Sequence, residues 1–174
     1  MLTLCPNCNS FFDVFGGTGV VTYSVLDIYS KFVVNDFLYS NEVIYKAFFE
    51  QTDYDESKLI YIANEYNLIK PDLLTKNYVS DNYGDRYFSM NDAKLIGFLR
   101  EDIEQKHSAS LINDKEYYVL LASLLYSFDK ISNINSLTYF LSLTSPYVQP
   151  FKAFFNSYFL FFLLFNSSSD KPIS

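Results

Sequence analysis

Apolar positions come in short clusters at the start of this chain and in longer helical periods after them. Phe11, Phe12, Val14 and Phe15 form a compact run with one acid, Asp13, inside it. The run breaks at Gly16-Gly17-Thr18-Gly19 and resumes with Val20-Val21-Thr22-Tyr23-Ser24-Val25-Leu26. This predicts a buried strand, a tight glycine turn and a helix over residues 18–29. Residues 31–36 form a second short apolar strand ending in an acid, Asp36. Residues 40–50 predict a helix capped by Ser40 or Asn41, with Val43, Ile44, Ala47 and Phe48 on its apolar face. Residues 55–67 predict another, capped by Asp53 or Asp55 and burying Leu59, Ile60, Ile62 and Ala63, with Pro71 stopping the run. Residues 76–88 are polar and aromatic without a period and read as an extended loop. Residues 91–106 place Ala93, Ile96, Leu99 and Ile103 on one face. The strongest helix runs from 113 to about 132, with Glu116 near its start and Leu120, Leu121, Leu124, Leu125 and Phe128 along it.

Composition narrows the partners. A length of 174 residues suits one domain, and 49% hydrophobic residues supply a core. The net charge of -7 argues against this chain alone gripping a phosphate backbone, although a local basic patch is compatible with it. Arg86, Lys94, Arg100 and Lys106 are the cations for such a patch. Arg100 and Lys106 stand beside Glu101, Asp102 and Glu104, so local ion pairs on a solvated face are the favoured reading. Tyr83 and Tyr87 flank Arg86 and offer base stacking, with packing as the plainer account. His107 has no evident partner and falls in a helix C-terminal turn, where a cation is favoured.

Cys5-Pro6-Asn7-Cys8 has the spacing of half a zinc knuckle. A structural zinc needs four ligands, and the sequence has one histidine and no second such pair, so a loop without metal is expected. A redox pair normally opens a helix after a strand, and this one precedes a strand. Two cysteines and no signal-peptide pattern fit a cytoplasmic chain.

The glycine turn carries the chemistry. Without Cβ atoms the chain can take positive φ and let a ligand lie against it, and a helix start behind it offers free N–H groups to an anion. The dinucleotide and phosphate-loop patterns are both absent. An acid at the end of the following strand is placed to accept from the two hydroxyls of a ribose. Phe37, directly after Asp36, can lie against an adenine face or pack in a core.

FFDVFGGTGVV, then VVNDFLYSNEVIYKAFFE, NYGDRYFSMNDAKLIGFLREDIEQ and DKEYYVLLASLLYSFDKISN, in that order, resemble the N6-adenine DNA methyltransferases of restriction–modification systems. The similarity covers about residues 8–133. It implies an α/β fold: a partial Rossmann-like S-adenosylmethionine-dependent methyltransferase with a mostly helical insert. The expected parts are a cofactor-binding portion (1–50), a helical, target-recognition-like region (51–135) and a divergent apolar tail (136–174). The resemblance further implies that Asp13, Phe15, Gly17 and Gly19 line the methionine side of S-adenosylmethionine, with Thr18 also among the cofactor-binding residues. It implies that Asp36 holds the ribose beside Phe37, and that the helical region helps place double-stranded DNA.

Two departures matter. The family transfers its methyl group with an Asp/Asn/Ser-Pro-Pro-Tyr/Phe tetrapeptide that holds a flipped adenine. No Pro-Pro occurs here, and the nearest string, Ser145-Pro146-Tyr147, is one proline short. No catalytic residue is therefore expected, and the chain alone is expected to be inactive unless a complementing chain supplies the tetrapeptide. The family's Phe/Tyr-x-Gly-x-Lys segment is also unmatched in the twelve residues before Asp13. The switch to an aromatic tail after Asn133 is what a frameshift or early stop would give. Its run 153–165 falls short of the roughly 20 apolar residues of a spanning helix. The rival reading is a non-catalytic binding or membrane-associated protein whose glycine turn is only structural. A methyltransferase for RNA or a small molecule is the weaker third.

Overall fold

A computed structural model describes residues 8–131. The apolar tail, Ser145-Pro146-Tyr147 and Cys5 of the cysteine pair lie outside them. The described chain is mixed α/β, with two short parallel strands and six α-helices. It divides into two compact units, one ending at Gln51 and one beginning at Thr52.

In the first unit, β1 (Ser10–Asp13) pairs in parallel with β2 (Lys31–Val34), with Phe11 opposite Phe32 and Phe12 opposite Val33. Side chains alternate across a strand, so the two pairs face opposite ways. Phe11 and Phe32 turn inward and pack on Tyr29, with Phe11 stacked on it at 5.5 Å between centroids. Phe12 and Val33 lie on the other, solvent-facing side.

Between the strands, α1 (Val20–Ser24) is far shorter than the helix expected over 18–29. Val20, Val21 and Thr22 are β-branched and resist helix propagation. The Ser24 hydroxyl donates back to Val21 O at 2.7 Å, and tight turns carry the chain on, with Val25 N donating to Thr22 O and Ile28 N to Val25 O. Val25 and Tyr29 still reach the core. The next helix, α2 (Tyr39–Phe48), starts one residue before the expected caps. Leu38 is its N-cap, and Ser40 and Asn41 lie inside it.

The second unit is helical. α3 (Glu56–Leu68) is capped by Asp55, whose carboxylate accepts from Lys58 N at 3.1 Å. Leu59, Ile62, Ala63 and Tyr66 are buried, whereas Ile60, expected inside, points outward. Pro71 opens a single 3-10 turn, Pro71–Leu73. The stretch expected to be an extended loop contains α4 (Tyr78–Tyr83). Asn77 and Ser80 close a reciprocal capping box at its start, with Ser80 N donating to Asn77 Oδ1 and Asn77 N to Ser80 Oγ. α5 (Met90–Ser108) is capped by Ser89 and buries Ala93, Leu95, Ile96, Leu99 and Ile103. It packs against α6 (Asp114–Ile131), which contributes Val119, Leu120, Leu121 and Leu124.

Gly97 shows how closely α4 and α5 approach. A Cβ there would run into the side-chain amide of Asn77, which also donates to Lys94 O at 2.8 Å. Alanine in a helix interior normally gains about 1 kcal/mol over glycine. Here the cap of α4 must shift, and overpacking of this kind costs about 1–3 kcal/mol. Gly97→Ala is expected to lower stability by up to about 2 kcal/mol in urea denaturation, opposite in sign to its propensity.

Candidate functional site

The C-terminal ends of β1 and β2 converge on the glycines. After Asp13 the chain turns alongside the end of β2, with Asn35 N donating to Asp13 O at 2.8 Å and Gly16 N to Asn35 O at 2.9 Å. Asn35 Nδ2 adds a bond to Val14 O. Gly17 and Gly19 have φ of 53° and 78°, the left-handed region that side chains disfavour. Gly16 and Gly19 are buried against protein. A Cβ on Gly16 would sit 2.5 Å from Val34 Cγ1, and one on Gly19 2.8 Å from the Phe49 ring. Gly17 differs, since a Cβ there would meet only Phe15 O, at 3.9 Å.

Asp36 sits at this turn. Its Oδ2 accepts from Gly17 N at 2.8 Å, and its Oδ1 accepts from Leu38 N and Asn41 Nδ2, both at 2.8 Å. The N–H groups of Leu38 and Gly17 and the amide of Asn41 stabilise the ionised form and hold this carboxyl below the ordinary aspartate value of 3.8. One acid thus ties the glycine turn to the start of α2. Asp13 faces the same region from β1, where its Oδ2 accepts from the buried Thr22 hydroxyl at 2.9 Å.

The expected residues fall into three situations. Gly17, Asp36 and the backbone around Gly19 form one hydrogen-bonded cluster. Asp13 is engaged with Thr22. Phe15 and Phe37 are exposed, at 88% and 97%, and Thr18 is exposed too. The helix behind the turn is only five residues long, so the anion-binding helix start expected there is a single turn. Tyr45 was not among the expected residues, yet its hydroxyl donates to Gly17 O at 2.7 Å. An aromatic seven residues into a helix that follows the acid is the only sequence signal for it.

Two of the candidate cations of the helical unit are paired. Arg100 binds Glu104, and Lys106 binds Asp102, which also accepts from Tyr66 Oη at 2.7 Å. Those two follow the ion-pair reading. His107, expected to lack a partner, has one. Its Nε2 is 2.7 Å from Asp114 Oδ1, and its ring stacks on Tyr117 at 4.3 Å. Ser110, with φ of 56°, reverses the chain after α5 and brings Asp114 back to it. Arg86 is exposed, and beside it Tyr78, Tyr83 and Tyr87 form a chain of rings, 6.3 and 5.9 Å between successive centroids, each at least 40% exposed. Among the described residues no group of histidine, cysteine and acidic side chains could hold a metal ion.

A left-handed glycine turn pinned by an acid at the end of the neighbouring parallel strand is the arrangement on which the sequence resemblance rests. The profile of D12 class N6 adenine-specific DNA methyltransferases matches residues 2–144. This chain belongs to that family. It is 33% identical over 137 residues to the type II methyltransferase M.FokI of Planomicrobium okeanokoites, covering 72% of this chain and 21% of that protein. The modification methylase LlaI of Lactococcus lactis subsp. lactis is 32% identical over 140 residues, covering 71% and 21%. The type II methyltransferase M.NlaIII of Neisseria lactamica is 28% identical over 141 residues, covering 72% and 38%. The chain therefore spans about a fifth of the FokI and LlaI enzymes. No solved structure matches it.

Proposed function

We propose that this chain is the cofactor-binding and target-placing portion of an adenine N6 DNA methyltransferase, and that β1–α1–β2 begins a Rossmann-like sheet. The observation that carries the reading is the Gly17–Asp36 hydrogen bond at 2.8 Å, which sets a carboxylate beside a turn whose outer face is open. S-adenosylmethionine fits the groups present. A carboxylate has four acceptor positions, and Oδ2 of Asp36 keeps capacity for a ribose hydroxyl beyond its bond from Gly17. Exposed Phe37 offers a ring to an adenine, and Asp13, Phe15 and Thr18 would line the methionine end, with buried Gly19 shaping the turn against Phe49. Bound there, S-adenosylmethionine supplies the activated methyl group. The protein's part is to hold the nucleoside through Asp36 and Phe37 and to let the cofactor approach the backbone at Gly17.

The helical unit is proposed to place double-stranded DNA, with Arg86 and the exposed rings of Tyr78, Tyr83 and Tyr87 as its contacting edge. Such rings stack on a base that has left the duplex, irrespective of sequence. Methyl transfer requires the tetrapeptide that the sequence does not contain, so a complementing chain or segment supplies it. The purified 174-residue chain is accordingly expected to bind cofactor without methylating DNA, and its DNA substrate places its work in the cytoplasm. No helix among the described residues is long and apolar enough to cross a membrane.

Calorimetric titration with S-adenosylmethionine tests this. Phe37→Ala removes a ring that touches nothing structural and is expected to weaken binding about three- to tenfold, the size of one aromatic stacking contact. Asp36→Ala is expected to abolish measurable binding. Unchanged affinity in both variants would contradict the assignment.

A further inference from the structure

Gly17 has both of its backbone polar groups held by side chains. Its N–H donates to Asp36 Oδ2 at 2.8 Å, and its C=O accepts from Tyr45 Oη at 2.7 Å. Tyr45 reaches it from the middle of α2 with its ring stacked on Phe49, centroids 6.0 Å apart and planes 14° apart. The same ring pair lies under the rest of the turn. A Cβ on Gly16 would come within 2.6 Å of the Tyr45 hydroxyl, and one on Gly19 within 2.8 Å of Phe49. The two rings are therefore the floor on which residues 16–19 rest, and glycine is required where the turn touches that floor.

We infer that Tyr45 is a positioning residue for the nucleoside: by holding the Gly17 carbonyl it fixes the left-handed turn that keeps the Asp36 carboxylate in place to receive a ribose hydroxyl. The inference rests on the cofactor reading given above. Glycine at φ of 53° has no intrinsic preference to stay there, because it populates both signs of φ about equally. Two bonds on opposite sides of one residue remove that freedom before ligand arrives, and binding to a pre-ordered site is tighter because less ordering remains to be done. Tyr45 acts on Asp36 through Gly17, since loss of the carbonyl bond frees the N–H that Asp36 accepts. Partial burial raises the Tyr45 hydroxyl above its ordinary value of 10.0, and the Asp36 and Asp13 carboxylates add to this, so it remains a donor across the neutral and mildly alkaline range.

Tyr45→Phe tests the inference in the full chain, because it keeps the ring on Phe49 and removes only the hydroxyl. Amide hydrogen exchange without cofactor is expected to quicken at Gly17 and Gly19 while the helical unit is unchanged. The dissociation constant for S-adenosylmethionine is expected to rise about three- to tenfold, the equivalent of one hydrogen bond, with the melting temperature held. Wild-type affinity in Tyr45→Phe would overturn the positioning role and leave the cofactor reading standing. A lower melting temperature with wild-type affinity would make Tyr45 a structural residue only. A folded wild-type chain that binds no S-adenosylmethionine would overturn the cofactor reading and this inference with it.

Discussion

Glu116→Ala is expected to lower the stability of the helical unit by about 3 kcal/mol. Glu116 is 1% exposed, yet it is charged and meets four donated hydrogen bonds. Lys58 Nζ donates to both carboxylate oxygens, at 2.9 and 2.8 Å, Asp55 N donates at 2.9 Å and Asn113 N at 2.9 Å. Asn113 returns the contact through Oδ1 to Glu116 N, closing a capping box at the start of α6. One carboxylate thus joins the N-termini of α3 and α6. Removing one partner of a buried pair costs about 3–5 kcal/mol, since the other groups lose their acceptor. Lys58 is 37% exposed and regains water, which sets the expectation at the lower end. The surface pair of Glu42 with Lys46, 50% and 38% exposed, is the contrast, and Glu42→Ala should cost under about 0.5 kcal/mol. Urea denaturation followed by helical circular dichroism measures both, and equal effects would contradict the account.

The same residue sets a pH dependence. Burial acts upward on the Glu116 carboxyl, but the Lys58 ammonium and the Asp55 and Asn113 N–H groups outweigh it and hold the group below its ordinary 4.5. A carboxyl depressed on folding contributes stability in full above its unfolded value and loses it as pH falls through the folded one. Stability is therefore expected to decline below about pH 4.5, with a shallower decline in Glu116→Gln.

The second large effect is expected at Gly19. Gly19→Ala combines a left-handed φ of 78° with a Cβ 2.8 Å from two carbons of the Phe49 ring. The first costs about 1–2 kcal/mol and displacement of a packed ring about 1–3 kcal/mol, giving about 2–5 kcal/mol in a unit with a small sheet. Gly17→Ala carries the strain without the clash and should cost about 1–2 kcal/mol. Hydrogen exchange of the β1 and β2 amides reads both, and a Gly17 effect larger than the Gly19 effect would contradict the packing described.

The elements legible in the sequence were those whose apolar spacing settles the matter. Ala93, Ile96, Leu99 and Ile103 mark α5 unambiguously, and all four are buried. α4 escaped because Tyr78–Tyr83 has no apolar period. It is held by the Asn77–Ser80 box and by Gly97, one a serine at the position where a glutamate is usually sought, the other a contact distant in sequence. α1 is shorter than the apolar spacing predicts, because the apolar residues after it, Val25 and Tyr29, are buried without being helical. The sequence marks Asp36 as an acid at a strand end. That it also holds the first turn of α2 through Leu38 and Asn41 depends on local backbone geometry that residue type does not specify. Tyr45 carries only a weak sequence signal because its partner is a backbone carbonyl 28 residues away.

The measurement that goes most directly to the central claim is an amide nuclear magnetic resonance titration of the full chain with S-adenosylmethionine. Saturable shifts centred on Gly17, Gly19, Asp36 and Phe37, with the α5 and α6 amides still, are the predicted result. A folded chain whose glycine-turn amides do not respond, or whose shifts fall only in the helical unit, would contradict the assignment of the Gly17–Asp36 cluster as the cofactor site.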